Sequence, residues 1–204
     1  MKRVVVTGIG IVSCLGNNQT EVYDSLLNTK SGITFSDEYK KYNFKSQICG
    51  VPKIKVEEHI DRKIIRFMGE GSAYNYIAMK EAITDSGLDE KDVSNETTGI
   101  IMGSGGPSVK NVVHAVDSTR EASPKKMGPF VVPRTMASTV SATLAVPFKI
   151  KGVNYSISSA CATSGHCIGN GMELIQAGKQ KIVFAGGGEE IHWAMSAMFD
   201  AMTA

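Results

Sequence analysis

The sequence carries almost no surplus charge: 22 basic residues face 20 acidic ones among 204, leaving a net charge of +2 with histidine neutral. That balance excludes the broad basic footprint of a nucleic-acid binder and general adhesion to a membrane surface. Any charge-driven partner must therefore use a local patch. No apolar run approaches the ~20 residues of a membrane span, so no membrane partner is expected. The start, Met1-Lys2-Arg3-Val4-Val5-Val6, runs straight into a strand pattern without a signal-peptide cleavage site. The four cysteines, Cys14, Cys49, Cys161 and Cys167, lack the spacing of a disulfide framework, which points to a reducing cytoplasm. Gly8-Ile9-Gly10 after the first strand lacks the third glycine of a dinucleotide loop, and Gly186-Gly187-Gly188 lacks the Lys-Ser/Thr of a phosphate loop. Glu189, Glu190 and His192 have no second His or Cys at ligand spacing. Neither a metal nor a cofactor is expected.

What is present suffices for a sizeable core: 42% hydrophobic and 21% charged residues fit one large or two small domains. Lys2 to Val6 reads as a buried strand, and Thr20 to Asn28 as a helix with Val22 and Leu26 on one face. Residues 33–62 mix aromatic and charged residues and read as a surface excursion. A long helix is expected from about Ile64 to Ser86, stopped by Gly87. Thr98 to Met102 reads as a second buried strand; residues 107–133 are polar, interrupted by proline and expected at the surface. Thr135 to Leu144 follows as a helix and Ile182 to Ala185 as a further strand. Strands alternating with helices predict an α/β class with a mixed, mostly parallel sheet flanked by helices.

Residues 153–178 carry the chemistry. Val153 to Ser158 alternates apolar and polar residues, as a strand does. Past Cys161 the spacing of Ile168, Met172 and Ile175 becomes helical, and Gly178 closes the run. Cys161 thus falls at a strand-to-helix turn among small residues, where a helix N-terminus favours a thiolate. By itself the position also fits a buried structural cysteine, the commoner fate of a free thiol. Cys14, Cys49 and Cys167 read as core. His166 lies five residues past Cys161 on the same helix, so it points away from the thiol and reads as a packing residue.

The stretch Asn154-Tyr155-Ser156-Ile157-Ser158-Ser159-Ala160-Cys161-Ala162-Thr163-Ser164 resembles the active-site segment of β-ketoacyl-acyl-carrier-protein synthases, most of all the type I enzymes of bacterial fatty-acid synthesis. The resemblance continues through Lys181 to Glu190, Phe199-Asp200-Ala201-Met202 and Val4 to Gly10, and spans essentially the whole chain. It implies the N-terminal half of a thiolase-like αβαβα layered fold over residues 1–204, with the C-terminal half absent. It implies transfer of an acyl chain to Cys161, then decarboxylative Claisen condensation with malonyl carrier protein. The partners it implies are acyl carrier protein and a second copy in a homodimer, paired through the Val153–Ser158 edge.

By the same resemblance Thr135 and Met136 reach across a dimer to line the partner's acyl pocket, Met195 and Phe199 line that pocket in their own subunit, and Arg62, Lys63, Arg66, Lys125 and Lys126 dock the carrier. Decarboxylation in this family draws on two histidines and a lysine. Their His-Gly-Thr context is absent here, and the one Gly-His pair, Gly165-His166, sits on the Cys161 helix. The polypeptide is therefore expected to carry the nucleophile without the decarboxylation groups, as a truncated product of a chain about twice as long. The alternative is a non-catalytic partner or chain-length subunit of the same fold, which would generally replace the nucleophile. A thiolase or type III synthase fits the Ser-Ala-Cys-Ala-Thr-Ser context less well.

Overall fold

A computed structural model describes residues 2–203; Met1 and Ala204, the ends of the expected domain, lie outside them. In chain order the elements are α1 (Gln19–Leu27), β1 (Ile33–Phe35), α2 (Asp37–Lys41), β2 (Ile48–Gly50), α3 (Arg62–Ile65), α4 (Glu70–Ser86), α5 (Glu90–Val93) and β3 (Thr98–Gly103). Then come α6 (Val109–Glu121), α7 (Val131–Thr135), α8 (Thr139–Ala145), β4 (Asn154–Tyr155), α9 (Thr163–Gln176), β5 (Ile182–Gly187) and α10 (Trp193–Ala201). Two compact units share the chain. The first takes the segment ending at Gly10 and Val56–Glu190; the second takes Ile11–Lys55 and the segment from Ile191 onward.

The first unit is built on a parallel sheet in the order β4-β3-β5. β3 is its central strand, paired along its whole length with β5 from Thr98↔Ile182 to Gly103↔Gly187. Every β3 residue is buried, as expected where helices cover both faces of a parallel sheet. Ile100 and Ile101 are fully inaccessible, and Leu144 of α8, Met79 of α4 and Cys167 of α9 are buried with them. Each large apolar side chain removed from water in this way stabilises the fold by about 2 kcal/mol. The architecture is α/β, as the alternation of elements predicts.

The second unit holds the antiparallel pair β1-β2, with Thr34 opposite Cys49. Tyr39 stacks on Phe44 with ring centroids 4.7 Å apart, and its hydroxyl lies 2.6 Å from Ser196 Oγ on α10. Asp200 of α10 accepts from the backbone N–H groups of Lys45 and Ser46, each at 3.0 Å.

Several sequence expectations need correction. Lys2 to Val6 forms no ladder, and Val5 and Val6 are 63% and 77% exposed. Strand propensity reflects fit to a sheet rather than an intrinsic backbone preference, and this segment has no strand beside it. What fixes it is the following loop. Ile9 N–H donates to Asp85 of α4 at 2.9 Å, and Gly10 approaches so near that a Cβ on it would lie 1.7 Å from the Ala78 carbonyl oxygen.

The long helix is two helices. The chain breaks after Arg66, whose carbonyl accepts from Arg134 Nε at 2.8 Å, and restarts at Gly69, an extended N-cap with ψ 167°. An external donor thus takes a carbonyl that a continuous helix would have used internally. Gly87 ends α4 in the left-handed conformation, as expected. The expected Thr135–Leu144 helix likewise divides, with Thr135 ending α7 and Thr139 opening α8. The Val153–Ser158 strand shrinks to Asn154–Tyr155, because only Ile100 and Ile101 of β3 stand opposite. Leu26 is exposed although Val22 is buried. Residues 107–133 contain the 13-residue helix α6, and α10 had no counterpart in the sequence reading.

Candidate active site

Cys161 lies between the end of β4 and the first residue of α9, and its side chain is exposed. The turn before the helix is tight. Ala162 N–H donates to Ser159 O at 3.0 Å, and Thr163 N–H to Ala160 O at 3.1 Å. Buried Thr163 fastens it with one hydroxyl, which accepts from Ser159 N–H and donates to Ala160 O, both at 2.8 Å. Ala160, just before the cysteine, has φ +48°. A Cβ in that region costs of order 1 kcal/mol and persists only where surroundings impose it.

Those surroundings are the end of β3 and the loop after it. A Cβ on Gly103 would fall 1.8 Å from Ile157 O, and one on Gly105 would fall 2.9–3.1 Å from the backbone atoms of Ala160. Ser158 Oγ donates to Gly105 O at 3.3 Å. From the far side, Glu189, just beyond β5, accepts from Ser104 Oγ at 2.7 Å and from Gly105 N–H. Its neighbour Glu190 accepts from Ser108 Oγ at 2.6 Å and Lys110 N–H at 2.8 Å. Both carboxylates thus anchor the loop after β3. Among the described residues there is no cluster of three or more His, Cys, Asp or Glu able to hold a metal. The Gly-Gly-Gly run before them serves packing: a Cβ on Gly188 would meet Asn75 Nδ2 at 2.8 Å.

The remaining cysteines differ. Cys167 is fully buried, and burial pushes its thiol up, opposed by backbone hydrogen bonding from Ile157 and Gly186. Cys14 and Cys49, expected in the core, are only half-buried. His166 is exposed, which corrects its reading as a packing residue. Below the loop, Tyr74 is buried and its hydroxyl is pushed well above the usual phenol range, by burial first and then by Glu70, with Glu190 adding to it.

Arg62, Lys63 and Arg66 are exposed on or just after α3, and Lys125 and Lys126 are exposed in a 3-10 turn. The Arg66 guanidinium lies 5.0 Å from the ring centroids of both Phe67 and Phe130, and these rings meet edge to face at 4.9 Å. That aromatic pair ties the segment after Lys126 to the segment after α3. Thr135 donates its hydroxyl to Val131 O and Met136 is 52% exposed. Both belong to the first unit, whereas Met195 and the exposed Phe199 lie on α10 of the second. Glu189 was legible only as a failed metal ligand; its role as an anchor depends on contacts 84 and 85 residues away.

The family model described as "Beta-ketoacyl synthase, N-terminal domain" matches residues 1–204. The chain is 53% identical to 3-oxoacyl-[acyl-carrier-protein] synthase 1 of Haemophilus influenzae and 55% identical to that of Escherichia coli K12. In both cases all of this chain is covered, with 50% and 51% of the relative. It thus spans about half the length of the curated relatives it matches. A crystal structure of a beta-ketoacyl synthase from Burkholderia phymatum superposes with a TM-score of 0.87 at 28% identity, covering 99% of this chain and 50% of that one. The α/β layers seen here are those of a thiolase-like ketosynthase. Sequence and fold agree, and the chain belongs to the β-ketoacyl synthase N-terminal domain family.

Proposed function

We propose that this chain supplies the nucleophilic part of a β-ketoacyl-acyl-carrier-protein synthase. The observation that carries the reading is the exposed Cys161 thiol at the turn into α9. Its thiolate attacks the carbonyl of an acyl thioester; the bond to the carrier sulfur breaks, and the departing thiolate takes up a proton. Exchange of one thioester for another is nearly balanced in free energy, which suits a cysteine over a serine. In this reading the backbone N–H of Cys161 serves as one donor to the oxyanion. In the complete reaction malonyl carrier protein loses carbon dioxide. The resulting carbanion attacks the acyl-cysteine carbonyl, extends the chain by two carbons and returns the thiolate.

Decarboxylation calls on histidine and lysine groups whose His-Gly-Thr context this chain does not contain, and its one Gly-His pair lies on α9, so residues 1–204 alone are expected to accept an acyl group and to make no ketoacyl product. The retained Cys161 favours this reading over a non-catalytic chain-length partner. Met195 and Phe199 are proposed to line the acyl pocket of their own subunit, and Thr135 and Met136 to reach across the dimer to that of a second copy. A homodimer is proposed through the outer edge of β4, where exposed Asn154 and Tyr155 offer an unpaired side. A reducing cytoplasm is the matching compartment for four free thiols. No helix among the described residues is long and apolar enough to cross a membrane.

Carrier docking is proposed on Arg62, Lys63, Arg66, Lys125 and Lys126, a local basic cluster for an acidic partner. Arg66 also packs on two rings, so charge reversal belongs at Arg62 and Lys63. Arg62→Glu with Lys63→Glu is expected to slow acylation by acyl carrier protein and to spare a small thioester, with the gap closing as salt rises. Equal loss with both donors would remove the docking assignment. The central test is mass mapping after incubation with an acyl thioester. The acyl group is expected on the Cys161 peptide and absent from Cys161→Ala; acylation undiminished in that variant would refute the reading.

A further inference from the structure

Ala160 sits at φ +48° immediately before the nucleophile, a conformation that an alanine adopts only when neighbours hold it there. The neighbour in contact is the peptide of Gly105, close enough to the Ala160 backbone to leave no room for a Cβ. Gly105 is held on both sides: its carbonyl accepts from Ser158 Oγ, and its N–H donates to Glu189, which also accepts from Ser104 Oγ. Glu190, one residue on, bonds to Ser108 and Lys110, at the far end of the same loop.

We propose that Glu189 is a positioning residue for the nucleophile turn: its carboxylate fixes the Gly105 peptide, which holds Ala160 and so aims Cys161 and its N–H. In this role Glu189 acts through Gly105 and Ala160 and not on the reacting atoms. The idea rests on the reading of Cys161 as acyl acceptor and deepens it. Positioning matters for acyl transfer, where thiol and oxyanion donor must address one carbonyl together. It matters little for alkylation by iodoacetamide, which asks only for an accessible sulfur.

The experiment compares wild type, Glu189→Ala, Glu189→Gln and Glu190→Gln in the 204-residue chain. For each, peptide mass mapping follows acylation of Cys161 by a small acyl thioester, alkylation of Cys161 by iodoacetamide, and alkylation of buried Cys167 as a check of folding. Removing a charge-assisted hydrogen bond at an exposed site is expected to slow acylation of Glu189→Ala about fivefold. Its Cys161 alkylation should stay within about twofold and its Cys167 should stay protected. Glu189→Gln keeps an acceptor for the Gly105 N–H and should recover most of the acylation rate, and Glu190→Gln should match wild type. Acylation of Glu189→Ala at the wild-type rate would overturn the positioning role while leaving Cys161 as the acceptor. So would a parallel fall in acylation and alkylation with Cys167 exposed, or an equal loss in Glu190→Gln. A wild-type chain that takes acyl groups elsewhere than on Cys161 would overturn the parent reading and this inference with it.

Discussion

In the unit that carries Cys161, backbone lies against backbone. Gly103 meets Ile157, Gly105 meets Ala160, and Gly10 meets Ala78, each at a distance that excludes a Cβ. In the other unit a Cβ on Gly32 would likewise fall 2.3 Å from Cys14 O, but the joins to α10 are made by side chains: Tyr42 against Trp193 at 4.4 Å, Tyr39 with Ser196, and Asp200 on two backbone donors. The contrast has a mechanical meaning. Main chain in direct contact leaves few soft torsions between one segment and the next, so a turn can be held at +48° against its preference. Side-chain joins pass through rotatable bonds and tolerate repacking. The turn before Cys161 is of the first kind, the hold that its proposed role in meeting a carbonyl within a fraction of an ångström calls for.

The sharpest way to break this contrast is Gly103→Ala. The added methyl would sit 1.8 Å from Ile157 O, backbone against backbone, so the first unit should lose roughly 3 kcal/mol. Urea unfolding would measure it; a loss below about 1 kcal/mol would show that the Ile157 segment yields as easily as a side chain. Thiol labelling sharpens the same comparison. Cys161 should react first, half-buried Cys14 and Cys49 next, and Cys167 last, roughly a hundredfold behind Cys161 because only local opening exposes it. Peptide mapping after limited alkylation gives the order, and early labelling of Cys167 would mean that α9 opens readily.

Tyr39→Phe deletes one side-chain join and keeps the ring stack, so the second unit should lose only about 1 kcal/mol, read as a lower unfolding midpoint. The smallest effect concerns Asp200. The N–H groups of Ser46 and Lys45 hold its carboxyl below the usual carboxylate range. A carboxyl with a lowered folded-state pKa adds stability above its unfolded-state pKa and loses it as pH falls through the folded value. Asp200→Asn should therefore be slightly less stable than wild type near neutrality and converge with it in acid. A gap that persists in acid would mean that Asp200 acts by shape and not by charge.

Much of the first unit was legible in the residues because glycine and apolar runs mark where backbones meet. The β3 strand, α9 after Cys161 and the stop at Gly87 follow from local patterns that need no knowledge of distant partners. The second unit left weaker traces. Tyr39 with Ser196 and Tyr42 with Trp193 join residues far apart in sequence and follow no period, so the 33–62 region looked irregular and α10 went unseen. The same reasoning separates the site's two layers. Cys161 announces itself by type and position at a strand-to-helix turn, whereas Glu189 next to Glu190 looks like any exposed acidic pair.

By itself the sequence determined the α/β class, the family, the place of Cys161 before a helix and the lack of broad charge for nucleic acid. These depend on residue type, spacing and composition, all of them local quantities. The tertiary structure alone decided that Val4 to Val6 lack a ladder and that the Ile64–Ser86 helix breaks where Arg134 captures Arg66 O. It also decided that Glu189 reaches Gly105 and that Cys167 rather than Cys14 is sealed in the core. Each of these outcomes depends on which distant group arrives to satisfy a donor, fill a space or cover a face, and that choice is made only when the chain packs.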